Sequence, residues 1–370
     1  MDDRKVAAAA ANAAGMLIGT ALDAALGDPR RWHPVAGYGR AAGALERYTY
    51  RPDRAAGVRH VAIGVGVPVA VAAAAHWATR RRPGWRTALV AATTWAVLGG
   101  TSLRREAVGM ASSLEAGDLA AARRRLPHLC GRDPAALDAD GLARATVESL
   151  AENTSDAVVA PLAWGALAGL PGLVGYRAVN TLDAMVGHRT PRYERFGWAA
   201  ARLDDAANLG PSRFAAALTV VAAPAVGGRR ASALWSWLWH GHRHPSPNAG
   251  QCEAAMAGAL GVSLGGRNVY QGQVDERPVL GDGRRPKPDD IRRAAKLSGL
   301  IGTAAAVLCA GHALATPARR TFLRTALRLA LHRTTRRAAS GRATGGLADL
   351  GNPGGICPPG FPRSQRSGGG

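Results

Sequence analysis

Residues 147–187, VESLAENTSDAVVAPLAWGALAGLPGLVGYRAVNTLDAMVG, set carboxylates and amides on both sides of an apolar segment that is broken in its middle by Leu170-Pro171-Gly172. Ahead of the break stand Glu148, Glu152, Asn153, Thr154, Ser155 and Asp156; beyond it stand Asn180, Thr181 and Asp183. A helix over 147–156 places Glu148, Glu152, Ser155 and Asp156 at i, i+4, i+7 and i+8, lining one face with three carboxylates and a hydroxyl. Such a face suits a divalent cation or a positively charged substrate. The competing expectation is that Asn153, Thr154 or Ser155 merely caps a helix beginning at Asp156. A re-entrant hairpin over 157–179, folded at the Leu-Pro-Gly break, returns both polar flanks to one side and unites Asp156 with Asp183. A single span puts them on opposite sides.

Apolar runs recur outside this stretch, at 6–26, 61–78, 88–100, 214–227 and 297–315. Several approach the roughly 20 residues that cross a bilayer as a helix. Together with polar segments between them, they predict an all-α polytopic membrane protein whose small residues allow close helix packing. Orientation is ambiguous: the Arg80-Arg81-Arg82 turn favours the cytoplasm, but arginines flank the neighbouring segments as well. A membrane domain is expected over 1–332. Beyond it, 333–370 is rich in Gly, Pro, Arg and Ser and is expected to be disordered.

The formal charge of +21 comes from 47 Lys plus Arg against 26 Asp plus Glu. Such basicity invites nucleic acid as a partner. However, the arginines are scattered through Ala/Gly-rich runs without zinc-finger spacing or an aromatic RNA-binding motif, so no nucleic-acid partner is expected. Cys130, Cys252, Cys309 and Cys357 form no C-x-x-C pair and indicate neither a disulfide framework nor a thiolate metal site.

Three further polar strings carry candidate chemistry. Asp28-Pro29 and His33-Pro34 mark turns ahead of Arg40. In residues 202–208, RLDDAAN, a helix places Asp204 and Asn208 one turn apart with Asp205 beside them and Arg202 in reach of a phosphate. Paired acids ahead of such an Asn suit Mg²⁺, which prefers a few carboxylates plus water and phosphate oxygens; an exposed charged helix face is the alternative. Residues 244–250, HPSPNAG, predict a rigid loop before a helix starting near Gln251, with Glu253 in its first turn favoured by the dipole. His240, His242 and His244 alternate ahead of it but fit no compact zinc spacing. Gly265-Gly266 reads as a hairpin turn between short strands, and no nucleotide-binding glycine pattern is present.

Four strings in order, residues 22–40 (LDAALGDPRRWHPVAGYGR), 151–189 (AENTSDAVVAPLAWGALAGLPGLVGYRAVNTLDAMVGHR), 192–213 (RYERFGWAAARLDDAANLGPSR) and 244–266 (HPSPNAGQCEAAMAGALGVSLGG), resemble the CobD/CbiB family, adenosylcobinamide-phosphate synthase of cobalamin biosynthesis. The chain departs from the family pattern at Ala157 and at Gln251-Cys252, and the tail has no counterpart. The resemblance implies a multi-pass protein of the cytoplasmic membrane. It would join adenosylcobyric acid to aminopropanol or its phosphate through an amide bond, with ATP as cosubstrate and Mg²⁺ as cofactor, beside other late corrin-pathway enzymes. On that expectation Asp204, Asp205 and Asp156 hold the metal, and Glu152, Asp156 and Asp183 are catalytic, with Glu152 as base. Asp28, His33, Arg40, Asn153, Asn180, Arg202, Asn208, Ser246, Asn248 and Glu253 bind substrates. The competing functions are a membrane-embedded Mg-dependent prenyl or phospho-alcohol transferase and a corrinoid transporter or scaffold.

Overall fold

The computed structural model describes residues 3–29, 33–188, 190–270 and 273–315. These belong to one unit, Met1–Pro317; residues 316–332 of the expected membrane domain and the expected tail at 333–370 lie outside the described residues. The chain opens with α1 (Asp3–Leu26), α2 (Pro34–Thr49) and α3 (Arg54–Ala78), and a tight Arg-rich turn then leads into α4 (Pro83–Val97). Next come α5 (Gly100–Glu115), α6 (Leu119–Arg125) and α7 (Ala139–Thr154). A π-helical turn, Ser155–Val159, joins α7 to α8 (Ala160–Ala168), and α9 (Leu170–Val186) folds back from it. The remainder is α10 (Trp198–Ala222), α11 (Arg230–His240), α12 (Ala249–Leu260), the strands β1 (Leu264–Tyr270) and β2 (Gln273–Leu280), and α13 (Pro288–Ala315).

Among the described residues the architecture is all-α apart from one strand hairpin, and four helices are long and apolar enough to cross a membrane: Asp3–Leu26, Arg54–Ala78, Trp198–Val226 and Pro288–Ala315. Even the first, at about 1.5 Å per residue, exceeds the hydrocarbon thickness of about 30 Å. On α3, Val58, Ile63, Val67 and Val71 point outward. Such a surface is a liability in water and ordinary in lipid. Inside the bundle, α1 and α4 approach until Gly15 and Gly19 touch Val90 and Thr94, where a Cβ would collide. The run at 88–100 forms no span: α4 has 15 residues, and a new helix starts at Gly100. The run at 214–227 is the second half of a longer helix that carries the Asp204-Asp205 string in its first half.

The hairpin is present, with its turn one residue earlier than the Leu-Pro-Gly string predicts. Gly169 takes φ +66°, its N–H closing α8 on the carbonyl of Gly165 (2.8 Å) while its own carbonyl receives Gly172 and Leu173 (3.0 and 3.1 Å). Pro171 falls in the first turn of α9, where a missing N–H costs nothing. Thirteen residues separate Asp156 from Gly169 and fourteen separate Gly169 from Asp183. Each arm therefore rises about 20 Å, too little to cross a bilayer, and brings the two carboxylates level. Cysteine replacements at positions 156 and 183 are accordingly expected to react with a membrane-impermeant maleimide from the same side of sealed vesicles; labelling from opposite sides contradicts the hairpin.

Candidate active site

No helix begins at Asp156. Helix α7 runs through Asn153 and Thr154 and passes into the π turn, so the capping alternative falls away. A π turn inserts one residue and re-aims the side chains that follow. Asp156 stands in that turn, within electrostatic range of Asp204, Glu152 and Asp183, and of the Arg177 guanidinium. Burial pushes its carboxyl well above the ordinary range, and the three neighbouring carboxylates push it further. Burial, then the charges of Asp204, Asp205 and Glu152, raise Asp183 to about 7. Glu152 is open to solvent yet is also raised by burial. Both hold for a side chain lining a concavity. Arg277 and Arg132 oppose that rise in Glu152, and the Glu148 charge adds to it.

Asp204 is held by amides. Asn208, one turn on, donates from Nδ2 to Oδ2 (2.9 Å), and Asn180 of α9 donates to Oδ1 (3.4 Å). The Tyr176 hydroxyl donates to Asn208 Oδ1 (2.9 Å), and Arg177 donates to Asn180 Oδ1 (3.4 Å). Each amide is thereby fixed in orientation by its second partner. Pro211 lacks an N–H, which frees the Ala207 carbonyl one turn earlier, and the Trp164 indole donates to it (3.0 Å), pinning α8 against α10. Asn248 donates from Nδ2 to the Asp205 carbonyl (2.7 Å) while its Oδ1 accepts from Ser212 and Arg213 (3.2 and 3.1 Å). The start of α12 is thus tied to the acidic turn of α10.

The structure therefore brings together Glu152, Asp156, Asp183, Asp204 and Asp205, with Asn180, Asn208 and Asn248 fixing their supports. Asp28 joins them: its side chain approaches Gly99 beside Ala157, and it shares the Arg177 guanidinium with Asp156. His33 Nε2 stands 4.0 Å from Asp28 Oδ1. Asn153 bonds within its own helix, to the Ser149 carbonyl and hydroxyl. Arg40 and Arg202 are exposed, and no hydrogen bond or ion pair joins either to the cluster among the described residues. Ser246 accepts from the N–H groups of Asn248 and Ala249, so it caps α12. That helix starts at Ala249, two residues before the expected position, which moves Glu253 out of the first turn. Glu253 is buried and lies 4.0 Å from His244 Nε2.

The first residue of the acidic face has a structural task. Glu148 is buried in an ion pair with Arg132 and accepts the N–H of Gly265 at 2.6 Å, which anchors β1. Gly265 and Gly266, with φ of +84° and +79°, form a bulge inside β1 rather than the expected hairpin turn. The ladder's last pair is Tyr270 with Gln273. The histidine trio is dispersed: His240 accepts from Gly281 N–H, His242 is exposed, and His244 accepts from Ser246 N–H and meets Arg277. No local pattern in the sequence marks Arg132, Arg177 or Arg277, whose charges act on Glu152 and Asp156. A cavity of about 450 Å³ bordered by Trp235, Gly258 and Asp282 includes none of these carboxylates.

Among the described residues no three His, Cys, Asp or Glu side chains converge into a metal-binding group. Asp156, Asp204 and Asp205 are neighbours in charge rather than a finished ligand cage. Mg²⁺ needs no such cage, since it keeps several waters and uses one or two carboxylates with substrate phosphates. Like-charged carboxylates at the mouth of a hairpin, with Asp204 fixed by two amides, fit a hydrated cation of that kind.

A family model described as CobD/Cbib protein matches residues 16–298. The chain belongs to the CobD/CbiB family. A relative named cobalamin biosynthesis protein CobD from Mycobacterium tuberculosis (strain CDC 1551 / Oshkosh) is 54% identical over 298 residues, covering 80% of this chain and 94% of the relative. Relatives of the same name from Rhodobacter capsulatus and Chromobacterium violaceum are each 43% identical, covering 77% and 75% of this chain and 92% and 88% of the relatives. No solved structure matches.

Removing one partner of a buried ion pair leaves the other charge uncompensated, which costs about 3–5 kcal/mol. Glu148→Ala is expected to lower unfolding stability in detergent by that amount through Arg132, measured by denaturant titration. Glu152→Gln, in the open concavity, is expected to change it by less than about 1 kcal/mol.

Proposed function

We propose that this chain acts in cobalamin biosynthesis as an adenosylcobinamide-phosphate synthase of the cytoplasmic membrane. It joins the free propionate of adenosylcobyric acid to the amine of aminopropanol or its phosphate, with ATP as the energy source. The observation that carries this reading is the group of carboxylates from α7, the π turn, α9 and α10 at one end of the hairpin, in a family whose relatives are named for cobalamin biosynthesis.

A carboxylate is a poor electrophile. A propionate oxygen must first take a phosphoryl or nucleotidyl group from ATP, forming a C–O–P linkage and releasing ADP or diphosphate. The amine nitrogen then attacks the activated carbonyl carbon, phosphate (or AMP, where a nucleotidyl group was transferred) leaves with the C–O bonding electrons, and the nitrogen loses a proton. Mg²⁺, when bound, neutralises charge on the transferred phosphorus group. Asp204, Asp205 and Asp156 would hold it, with Asp204 pre-oriented by Asn180 and Asn208. Glu152 is open to solvent and its carboxyl is raised by burial, the direction that makes a carboxylate a better proton acceptor. Asp183 lies across the same cleft as a second proton acceptor. Asn180, Asn208 and Asn248 orient the acidic residues that face the substrates.

Membranes supplied with adenosylcobyric acid, aminopropanol phosphate and MgATP are expected to form the amide with matching ATP consumption. Glu152→Ala and Asp205→Ala are expected to reduce that rate at least about 100-fold while the protein remains in the membrane. Accumulation of unchanged corrinoid inside vesicles would support transport instead, and unaltered amidation by both variants would remove the cleft from the chemistry.

A further inference from the structure

At the other end of the hairpin the charge balance reverses. Arg86, in the first turn of α4, is only 6% exposed. Burying a guanidinium is costly unless an anion or a full set of acceptors compensates it. Its partners are neutral: Nε donates to Asn12 Oδ1 of α1 at 2.9 Å, and Nη2 meets the His76 imidazole of α3. Among the described residues no carboxylate pairs with Arg86. This buried cation lines a pocket of about 210 Å³ whose other charged walls are Arg4, Arg80 and Arg81, with Ala7, Ala8 and Pro83 completing it. Arg80 lies over the Trp77 ring (3.6 Å) and donates to the Trp77 carbonyl, so its position is fixed without an acidic partner.

We infer that this pocket binds a phosphate-bearing anion, with Arg86 as its buried anchor. Four arginines lining one pocket suit a phosphate, whose oxygens Arg can engage through paired N–H donors. The location favours a phospholipid headgroup over a free phosphate. The pocket lies at the start of α1 and just past the end of α3, two helices long and apolar enough to cross a bilayer, hence at the depth where lipid phosphates lie. The bound group would also bear on the hairpin. The Gly169 turn packs against the same two side chains that meet Arg86, with His76 Cε1 and Asn12 Nδ2 at 3.0 and 3.6 Å from the position of an added Cβ.

The test uses the full-length protein in neutral detergent, with native mass spectrometry to compare retention of phosphatidylglycerol and phosphatidylcholine of identical chains. A parallel arm follows thermal stabilisation by inorganic phosphate alone. Phosphatidylglycerol is expected to be retained in preference. Arg81→Gln, an exposed change outside the carboxylate cleft, is expected to lower that retention about fivefold, and Arg86→Gln further. Stabilisation by inorganic phosphate that both variants weaken, without preference between lipids, would also support the site and identify free phosphate as its source. Should Arg86→Gln fail to fold, Arg81→Gln decides. Equal retention of the two lipids with no response to phosphate, or binding that the folded variants leave unchanged, overturns the proposal.

Discussion

Carboxylates that face one another away from bulk water repel, and the structure around 147–208 follows from how that repulsion is managed. Glu152, Asp156, Asp183 and Asp204 come from four different elements, and burial raises the carboxyls of Glu152, Asp156 and Asp183. A fold selected for stability alone would separate them. Here their supports hold them together: two asparagines fix Asp204, a tyrosine and an arginine fix the asparagines, and Asn248 ties the acidic turn of α10 to α12. Such strain is characteristic of sites that await a cation or proton exchange.

The hairpin makes the arrangement possible. Its arms are too short to cross the bilayer, and they place Asp156 and Asp183 level at one end and the Gly169 turn at the other. The acidic end meets α10, whose proline-freed carbonyl is taken by Trp164, while the turn rests on His76 and Asn12. The arms rise roughly 20 Å from the acidic cleft to the Gly169 turn, and the arginine-rich pocket lies beyond that turn, past His76 and Asn12. Glu148, although on the same helix face as Glu152, belongs to neither. Its ion pair with Arg132 and its bond to Gly265 serve the attachment of the strand hairpin.

Periodicity made the acidic face of α7 and the Asp204–Asn208 pair legible, because both depend on spacing within one helix. The hairpin was legible from the Leu-Pro-Gly break, since Pro and Gly have narrow conformational meanings. Arg132, Arg177 and Arg277 were not. They reach the site through contacts between separate elements, and in an arginine-rich chain nothing local distinguishes them. The π turn adds one residue to a helix without altering composition, so it could not be foreseen. Gly265-Gly266 misled because positive φ serves a β-bulge as well as a hairpin turn.

Mn²⁺ binding followed by electron paramagnetic resonance tests directly whether the carboxylates around Asp204 hold a divalent cation, as proposed. Purified full-length protein is predicted to sequester Mn²⁺ in competition with Mg²⁺, and Asp204→Asn is predicted to abolish that binding while the protein remains folded. Equal Mn²⁺ binding by the wild-type chain and by folded Asp204→Asn would show that these carboxylates hold no cation.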